Sequence, residues 1–432
     1  DLISNRDERG SHIIVFEGNN KVLEIKSGFQ DELYLLPWSD STVIQIYSLS
    51  VFTIIFTFAD LFHKLNMTQE SKISEFIPNY ADKEATISNL LNSLIGFPYL
   101  NDEMSLQILH DDFDTFIKQF KSEVPKIEPR KDRYFHYHTM SILADAIVRS
   151  VDKEKSRNLA QYFAQEIAYP LNLDILVGLP RTNYYRLARN YHCTWSQLTA
   201  SYFKFDSKAV KTQPLSCDCQ SWSCYPLDHS SSPRCKALSG LGQFNFLKSF
   251  DPDTLEIPLT SINTFSNAKS VARLFNHIFF PSEERPSYMK RDIEFTKNPK
   301  VMEWLKSVVS DRGREWDFIL HRYVRHSPAG FQIEESPIGT TLLGFYEDIM
   351  GHWLYVDLAM NLTIAYVTNH AHCSSFSRDW MKDSILSSVY KSVKSITFCL
   401  EYYVKKKLSC PPSENNGSLS ALQQTHTNNV LS

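Results

Sequence analysis

The chain has 432 residues, of which 43% are hydrophobic and 13% are aromatic. A chain of this length and composition can bury one large core or two lobes, which excludes an intrinsically disordered protein. The formal net charge is -4 and the 45 lysine and arginine residues are dispersed, so the sequence lacks the basic patch of a nucleic-acid-binding protein.

The first predicted element is a β-hairpin. Two runs of alternating polar and apolar residues flank the turn sequence Gly18-Asn19-Asn20. The chain begins with Asp1 rather than with methionine, so we expect it to be a fragment. Any leader peptide would lie upstream, and the sequence therefore assigns no cellular compartment.

A long apolar segment follows, without a charged residue from Ser41 to Ala59. Its length is at the lower limit for a transmembrane helix. Seven of its nineteen residues are Ser, Thr or Gln, no basic flank precedes it, and Asp40 and Asp60 bound it. We therefore predict a buried core helix and no transmembrane segment.

The middle of the chain has the apolar spacing of amphipathic helices. The large apolar residues of 87–94 share one helical face, before a stop at Gly96 and Pro98. Two further helical patterns, joined by a charged turn, occupy 138–169 and end at Pro170. These patterns predict a region built mainly from helices.

Residues 205–255 lose this periodicity and collect Ser, Pro, Cys and Gly, which is typical of an inserted loop. Four cysteines cluster there without the paired C-x-x-C knuckles of a convincing zinc site. We favour a surface loop, disulfide-bonded if the protein is exported, and expect no metal or other cofactor. The weaker alternative is a zinc site in which His229 replaces one of the thiols of Cys217, Cys219, Cys224 and Cys235.

The last part of the chain returns to strands. Residues 342–370 alternate like two or three strands, residues 383–408 have a helical pattern, and residues 409–432 form a polar tail that we expect to be disordered. The order of strands, helices, strands and a final helix predicts a sheet built from both chain ends. A helical lobe, at roughly residues 60–260, would lie between them.

Five segments form an informative series: "ISNLLNSLIGFPYL", "HYHTMSILADAIVRSVD", "FAQEIAYPLNLDILVGLP", "SNAKSVARLF" and "LTIAYVTN". Together they resemble the serine β-lactamase superfamily, in particular its class C-like enzymes, family VIII esterases and animal β-lactamase-related proteins. The resemblance covers residues 12–408. It implies an α+β (α/β) β-lactamase/transpeptidase-like fold over residues 1–408, with an antiparallel sheet from both chain ends, flanking helices and a helical lobe.

The resemblance implies a nucleophilic serine at the start of a buried helix and a lysine three residues later, one helical turn away. Matching "IYSLSVFTII" to this motif puts the nucleophile at Ser48 and the lysine position at Val51. Valine can neither accept the proton of the serine nor hold a positive charge. In acyl-transfer enzymes, loss of a proton-transfer residue costs several orders of magnitude in rate.

The resemblance also implies a tyrosine that shuttles the proton, and "HYHTMS" keeps this residue as Tyr137. A phenol with an ordinary pKa of about 10 needs help to act as a base at neutral pH, and the lysine is the usual help. His136 or His138 could compensate as a base. A histidine beside a turn is, however, more often a packing residue.

The third motif of the family, K-T-G or H-x-G, falls on Tyr346, Glu347 and Asp348. The cation or imidazole and the glycine are thus both replaced. Two carboxylates are electrostatically wrong for a site that stabilises an oxyanion. If these two carboxylates have no role in function, we expect them to lie in a solvated turn or at a strand end. A small shift in the alignment would make His352 a second candidate for a compensating base.

Two hypotheses for function follow. The first is a pseudoenzyme that retains Ser48 and Tyr137 but lacks the general base and the third motif. The alternative is a weak or rewired serine hydrolase with esterase- or peptidase-like acyl transfer, using the same two residues and a base such as His138, His352 or Lys72. The expected ligand is a small ester or peptide, and the resemblance leaves homo-oligomerisation open.

Overall fold

The computed structural model describes residues 9–100, 106–191, 233, 236–237, 252–282, 286–310, 312–320, 322–347, 350–371 and 381–393. The chain divides into two units, Asp1–Asp379 and Trp380–Ser432. The described strands all belong to the first unit, and residues 381–393 of the second unit are helical. The predicted domain end at residue 408 and the predicted tail lie outside the described residues and stay predictions.

Twelve strands and eleven α-helices are numbered here in chain order, in addition to the 3₁₀-helices Tyr47–Ser50, Arg181–Arg186 and Glu294–Lys297 and the π-helical turn Ala164–Ala168. The strands are β1 Gly10–Glu17, β2 Asn20–Asp31, β3 Leu36–Pro37, β4 Ile44–Gln45, β5 Ile175–Val177, β6 Thr264–Ser266, β7 Glu315–Asp317, β8 Arg322–Val324, β9 Gln332–Glu335, β10 Thr341–Tyr346, β11 Trp353–Asp357 and β12 Leu362–Thr368. The helices are α1 Val51–Lys64, α2 Ile73–Phe76, α3 Ile87–Leu91, α4 Leu106–Asp111, α5 Phe113–Lys121, α6 Thr139–Val151, α7 Leu159–Phe163, α8 Pro252–Leu255, α9 Ala268–Phe279, α10 Pro299–Lys306 and α11 381–393.

The central sheet joins the two ends of the chain. Its seven strands lie in the order β3-β2-β1-β12-β11-β10-β9, and every neighbouring pair is antiparallel. Strand β1 pairs with β2 through the predicted hairpin, and on its other side with β12, with Ser11 opposite Thr368. The predicted antiparallel sheet from both chain ends is therefore confirmed.

Helix α1 lies in the core. Each of its residues from Val51 to Leu61 is buried, which explains why the apolar run lacks the polar stripe of a surface helix. Within the described residues, no helix is long and apolar enough to cross a membrane. The apolar run is not one helix, because residues before α1 form strand β4 and a 3₁₀-helix, Tyr47–Ser50.

Thr53 and Asp60, two of the polar residues inside this buried run, are paired within the protein. The Thr53 hydroxyl donates to the carbonyl oxygens of Ser50 at 2.8 Å and Thr260 at 3.0 Å. The Asp60 carboxylate accepts from the Tyr162 hydroxyl at 2.8 Å and forms an ion pair with Lys64 at 2.7 Å. Buried polar groups are tolerated when they are hydrogen-bonded, so the run suits a protein core.

Helices flank the sheet, as predicted. Helix α9 begins at an Asn267 cap, whose side chain accepts from the backbone N–H of Ser270 at 2.8 Å, and it packs against β1 and β12. The short amphipathic helix α3 is capped by Thr86 and ends in a tight turn. In this turn Gly96 has φ +82°, and a Cβ there would lie 2.9 Å from Cγ of Pro129, so only glycine fits without a shift.

Candidate active site

Ser48 lies in the 3₁₀-helix that precedes α1 and is 6% exposed. The preceding residue, Tyr47, has a left-handed backbone with φ +44°. A tyrosine in this conformation is strained, and such strain persists only where the surrounding structure fixes it. The strained residue immediately before the candidate nucleophile sets the direction in which the chain enters α1.

Packing of the Tyr47 side chain fixes this turn. Its ring stacks on the imidazole of His352, with ring centroids 6.2 Å apart and an interplanar angle of 15°. Its hydroxyl accepts a hydrogen bond from the side-chain amide of Asn190 at 2.9 Å. Burial, followed by the negative charge of Glu347, raises the pKa of Tyr47 well above its usual value, so this phenol stays protonated. Sequence reasoning missed both Tyr47 and Asn190, which match no motif.

Val51, which the sequence prediction matches to the family's lysine, is the first residue of α1 and is 2% exposed, so it occupies an apolar core position. Lys72, a candidate for a substitute amine, lies on the surface, and its ammonium is paired with the Glu84 carboxylate at 3.0 Å. The Lys72 amine thus takes part in a surface ion pair.

Tyr137 is fully buried, and its ring packs edge-to-face on Phe135 with centroids 4.8 Å apart. Its backbone carbonyl accepts a hydrogen bond from the Ser261 hydroxyl. Residue Thr260, next in the chain to Ser261, accepts from Thr53 of α1. The segment 260–261 therefore connects the start of α1 to the loop that carries the tyrosine.

The two histidines beside Tyr137 are buried and are poor bases. Burial lowers the pKa of His136 to about 3 and that of His138 to about 4, against partial compensation by hydrogen bonds to the backbone of Tyr134 and Ala237 respectively. An imidazole with so low a pKa is neutral at pH 7 and could accept a proton, but it is a weak base because it binds that proton weakly. Because His138 is buried, the structure disfavours it as a compensating base.

The segment that the sequence prediction matches to the third motif contains a buried carboxylate. Tyr346 ends β10, and Glu347 follows it with no exposed surface. The Glu347 carboxylate accepts from the backbone N–H of Met350 at 2.9 Å, and its own N–H donates to the His352 carbonyl at 2.8 Å. The interpretation of a solvated turn is therefore wrong for Glu347. Asp348 lies outside the described residues.

His352 is fully buried and both of its ring nitrogens contact backbone groups. Nε2 lies 3.2 Å from the Gln45 carbonyl oxygen, and Nδ1 accepts from the Thr368 N–H at 3.3 Å. Since Nδ1 accepts, Nε2 carries the proton and donates to Gln45. His352 thus joins β4, the third-motif loop and β12, a positioning role that leaves neither nitrogen directed at a substrate.

Two cavities and the predicted metal ligands remain to be placed relative to Ser48. The cysteine cluster and His229 lie outside the described residues, and the residues that are described contain no group of three or more His, Cys, Asp or Glu that could hold a metal. One cavity of about 540 Å³ is lined by Lys155, Glu166 and Arg291, and another of about 240 Å³ by Ser141 and Arg149 among others. Ser48 and Tyr137 line neither of the two.

Comparison with protein families supports the sequence resemblance. The model of the family described as Beta-lactamase matches residues 1–385. No protein with a curated description matches the chain.

Solved structures share the fold at low sequence identity. A penicillin-binding protein homologue from Caulobacter crescentus is 18% identical, with a TM-score of 0.62 over 86% of this chain and 90% of the other. A family VIII carboxylesterase is 16% identical, with a TM-score of 0.66 over 89% and 92%. The D-amino acid amidase of Ochrobactrum anthropi SV3, complexed with D-phenylalanine, is 15% identical, with a TM-score of 0.58 over 89% and 95%. At such identities the likeness shows the fold alone.

Proposed function

Because the chain belongs to the Beta-lactamase family, we propose that it is a catalytically degraded member, in which Ser48 and Tyr137 remain but serine acyl transfer is lost. The observation that carries this proposal is Val51, an apolar residue with 2% exposure at the lysine position. With valine in place of the lysine, the serine lacks the amine that the family uses as its base, and neutral phenols and imidazoles of low pKa do not replace that amine.

Glu347 supports the same proposal independently. It stands where the family places a polar residue of the third motif, and its carboxylate is fully buried. A tetrahedral intermediate of acyl transfer carries a negative oxygen that needs hydrogen-bond donors and positive charge. In its ionised form this carboxylate repels that oxygen, and the repulsion is poorly screened because the side chain is buried.

The proposal leaves a binding role, and the expected ligand is a small ester or peptide. This class is suggested by the related structures, which include a carboxylesterase and an amidase with a bound amino acid. The protein would hold such a molecule without cleaving it.

Covalent labelling tests the proposal. The purified chain, incubated with a fluorophosphonate probe and separately with a β-lactam, is expected to keep its unlabelled mass in intact-protein mass spectrometry. A family VIII carboxylesterase treated in parallel serves as the positive control. A stoichiometric adduct mapped to Ser48 would contradict the loss of nucleophilic activity.

A weak or rewired serine hydrolase is the second candidate, and the comparisons support it better than they support the first. The carboxylesterase and the amidase among the related structures are named as hydrolases. The left-handed Tyr47 also favours it, because strained backbone is concentrated at functional sites. In this case Ser48 would attack a small ester, and Tyr137 would take part in proton transfer.

Ester turnover separates the two candidates. The hydrolase predicts slow cleavage of p-nitrophenyl acetate that falls to the uncatalysed rate in Ser48→Ala. Ser50→Ala is a matched control, since Ser50 is a buried serine of the same 3₁₀-helix. Equal rates for the native chain and Ser48→Ala would exclude Ser48 as the nucleophile. A selective loss in Ser50→Ala would move the nucleophile to Ser50.

A further inference from the structure

The turn between β2 and β3 presents four consecutive large apolar side chains to solvent. Leu33 is 71% exposed, Tyr34 70%, Leu35 70% and Leu36 46%. Single exposed apolar residues are normal on protein surfaces, but contiguous ones mark interaction sites. We name residues 33–36 the apolar tip.

The backbone of the apolar tip is strained at Leu35, which has φ +54°. The Leu35 N–H donates to the Glu32 carbonyl at 3.1 Å, which closes a tight turn. Glycine or asparagine fits this left-handed position readily, whereas a leucine adopts it only at a cost in free energy. A bulky apolar residue that is both strained and exposed adds nothing to the stability of the fold, so its side chain points to an external function.

Ion pairs lie at the base of the turn between β2 and β3. Arg9 pairs with Glu32 at 2.7 Å, and Arg189 pairs with Asp31 at 2.8 Å. The Tyr191 hydroxyl accepts from the Glu32 N–H at 2.7 Å. Two positive and two negative charges cancel, so the tip is presented on a fixed support without a net field.

A second exposed aromatic residue lies at this base. The backbone carbonyl of Tyr185 accepts from the side-chain amide of Gln30 at 2.8 Å, and Tyr185 is 74% exposed. Tyrosines flanking leucines are typical of proteins that lie at a membrane surface, because the phenol ring can stay apolar while its hydroxyl reaches water.

We propose that the apolar tip inserts into the interfacial layer of a lipid bilayer, with the ion-paired base at the level of the headgroups. A second copy of the chain is a poorer occupant. At about 200 Å² for a fully exposed large side chain, the tip offers on the order of 500 Å², below the ~800 Å² per partner of a stable interface. The neutral base favours a zwitterionic bilayer over a highly charged partner. The proposal does not depend on the proposed function.

Vesicle sedimentation tests the inference. The full chain is expected to sediment with phosphatidylcholine vesicles, and the double variant Leu33→Ser/Leu35→Gly should lose at least ~10-fold in partition coefficient, since each leucine removes a large apolar area from water. The glycine relieves the strain at position 35, so this variant keeps the fold. Val124→Ser/Val309→Ser, which removes two exposed valines from other segments, is the matched control and should sediment like the native chain.

A second measurement reports insertion directly. In Tyr34→Trp, the fluorescence of the new indole should shift to shorter wavelength and be quenched by brominated phosphatidylcholine, relative to the native chain. Three outcomes would overturn the inference. The native chain does not bind the vesicles, or the native chain and Leu33→Ser/Leu35→Gly bind them equally. The third is binding that requires anionic lipid and disappears in 0.5 M salt. If the native chain dimerises with increasing concentration, does not bind vesicles, and loses dimerisation in Leu33→Ser/Leu35→Gly, the apolar tip would be a contact with a second copy of the chain.

Discussion

Burial of His138 makes this residue a source of acid sensitivity. Removal from water lowers its pKa to about 4 in the folded chain, from an ordinary value of 6.5. Between these two values the unfolded chain binds a proton that the folded chain does not. The free energy of unfolding therefore decreases as the pH falls through this window.

We predict that the chain loses up to about 3 kcal/mol of stability through His138 between pH 6.5 and pH 4, since one pKa unit corresponds to about 1.4 kcal/mol. Urea denaturation at several pH values measures this loss. His138→Gln should make the dependence shallower but not remove it, because burial also lowers the pKa of His136. An identical slope in His138→Gln would remove His138 as the source.

The sequence suggests the candidate residues of the site, but their surroundings could not be predicted. The family motifs led to Ser48, Val51 and Tyr137, because each sits in a local run of recognisable letters. The burial of Glu347 depends on packing between remote parts of the chain. The partners of His352 could not be predicted either, since one of them, Gln45, is 307 residues away.

At the scale of elements, the turn after α7 is a centre of electrostatic contacts. It is a π-helical turn, Ala164–Ala168, and its Glu166 carboxylate is surrounded by four cationic side chains. These are Arg157 at 2.7 Å, Arg291 at 2.9 Å, Lys64 at 3.1 Å and Lys155 at 3.3 Å. One side chain thereby ties the turn to α1, to the loop before α7 and to residue 291.

We expect Glu166→Gln to lower the free energy of unfolding by about 2–4 kcal/mol. The change leaves the guanidinium of Arg157, whose side chain is only 7% exposed, with Asp152 as its remaining carboxylate. Lys155→Gln is the control, because Lys155 is 59% exposed and such surface pairs contribute about 0–1 kcal/mol. Chemical denaturation measures both variants. A similar small effect in the two would show that the centre does not act as a unit.

Elements with a regular alternation of polar and apolar residues could be predicted from the sequence. An element whose boundary depends on the backbone angle of a single residue could not. The β1–β2 hairpin and strands β10–β12 follow from alternation over five or more residues. The start of α1 at Val51 depends on the left-handed Tyr47, and tyrosine carries no preference for that conformation. The apolar run around it therefore looked continuous in the sequence.

At the scale of the whole chain, β1 is an interior strand of the sheet although it lies near the start of the chain. It is hydrogen-bonded to β2 on one side and to β12 on the other. Removing it would leave the backbone groups of β12 without partners in a buried face, and such groups are costly.

A chain that starts at Lys21 is therefore expected not to fold, and limited proteolysis and circular dichroism would show this. Deletion of residues 409–432, the predicted polar tail, should leave the melting temperature unchanged and serves as the control. A cooperative thermal transition in the chain starting at Lys21 would contradict the role assigned to β1.

The pairing of β1 with β12 also determines how long β1 waits for its partner strand during synthesis of the chain. Ser11 leaves the ribosome 357 residues before its partner Thr368. At a translation rate of about 5–20 residues per second, the first hairpin waits roughly 20–70 s for the strand that covers its open edge. During that interval its apolar residues, Ile13 and Val15 among them, are open to other nascent chains, and a chaperone that shields them would raise the yield of folded protein.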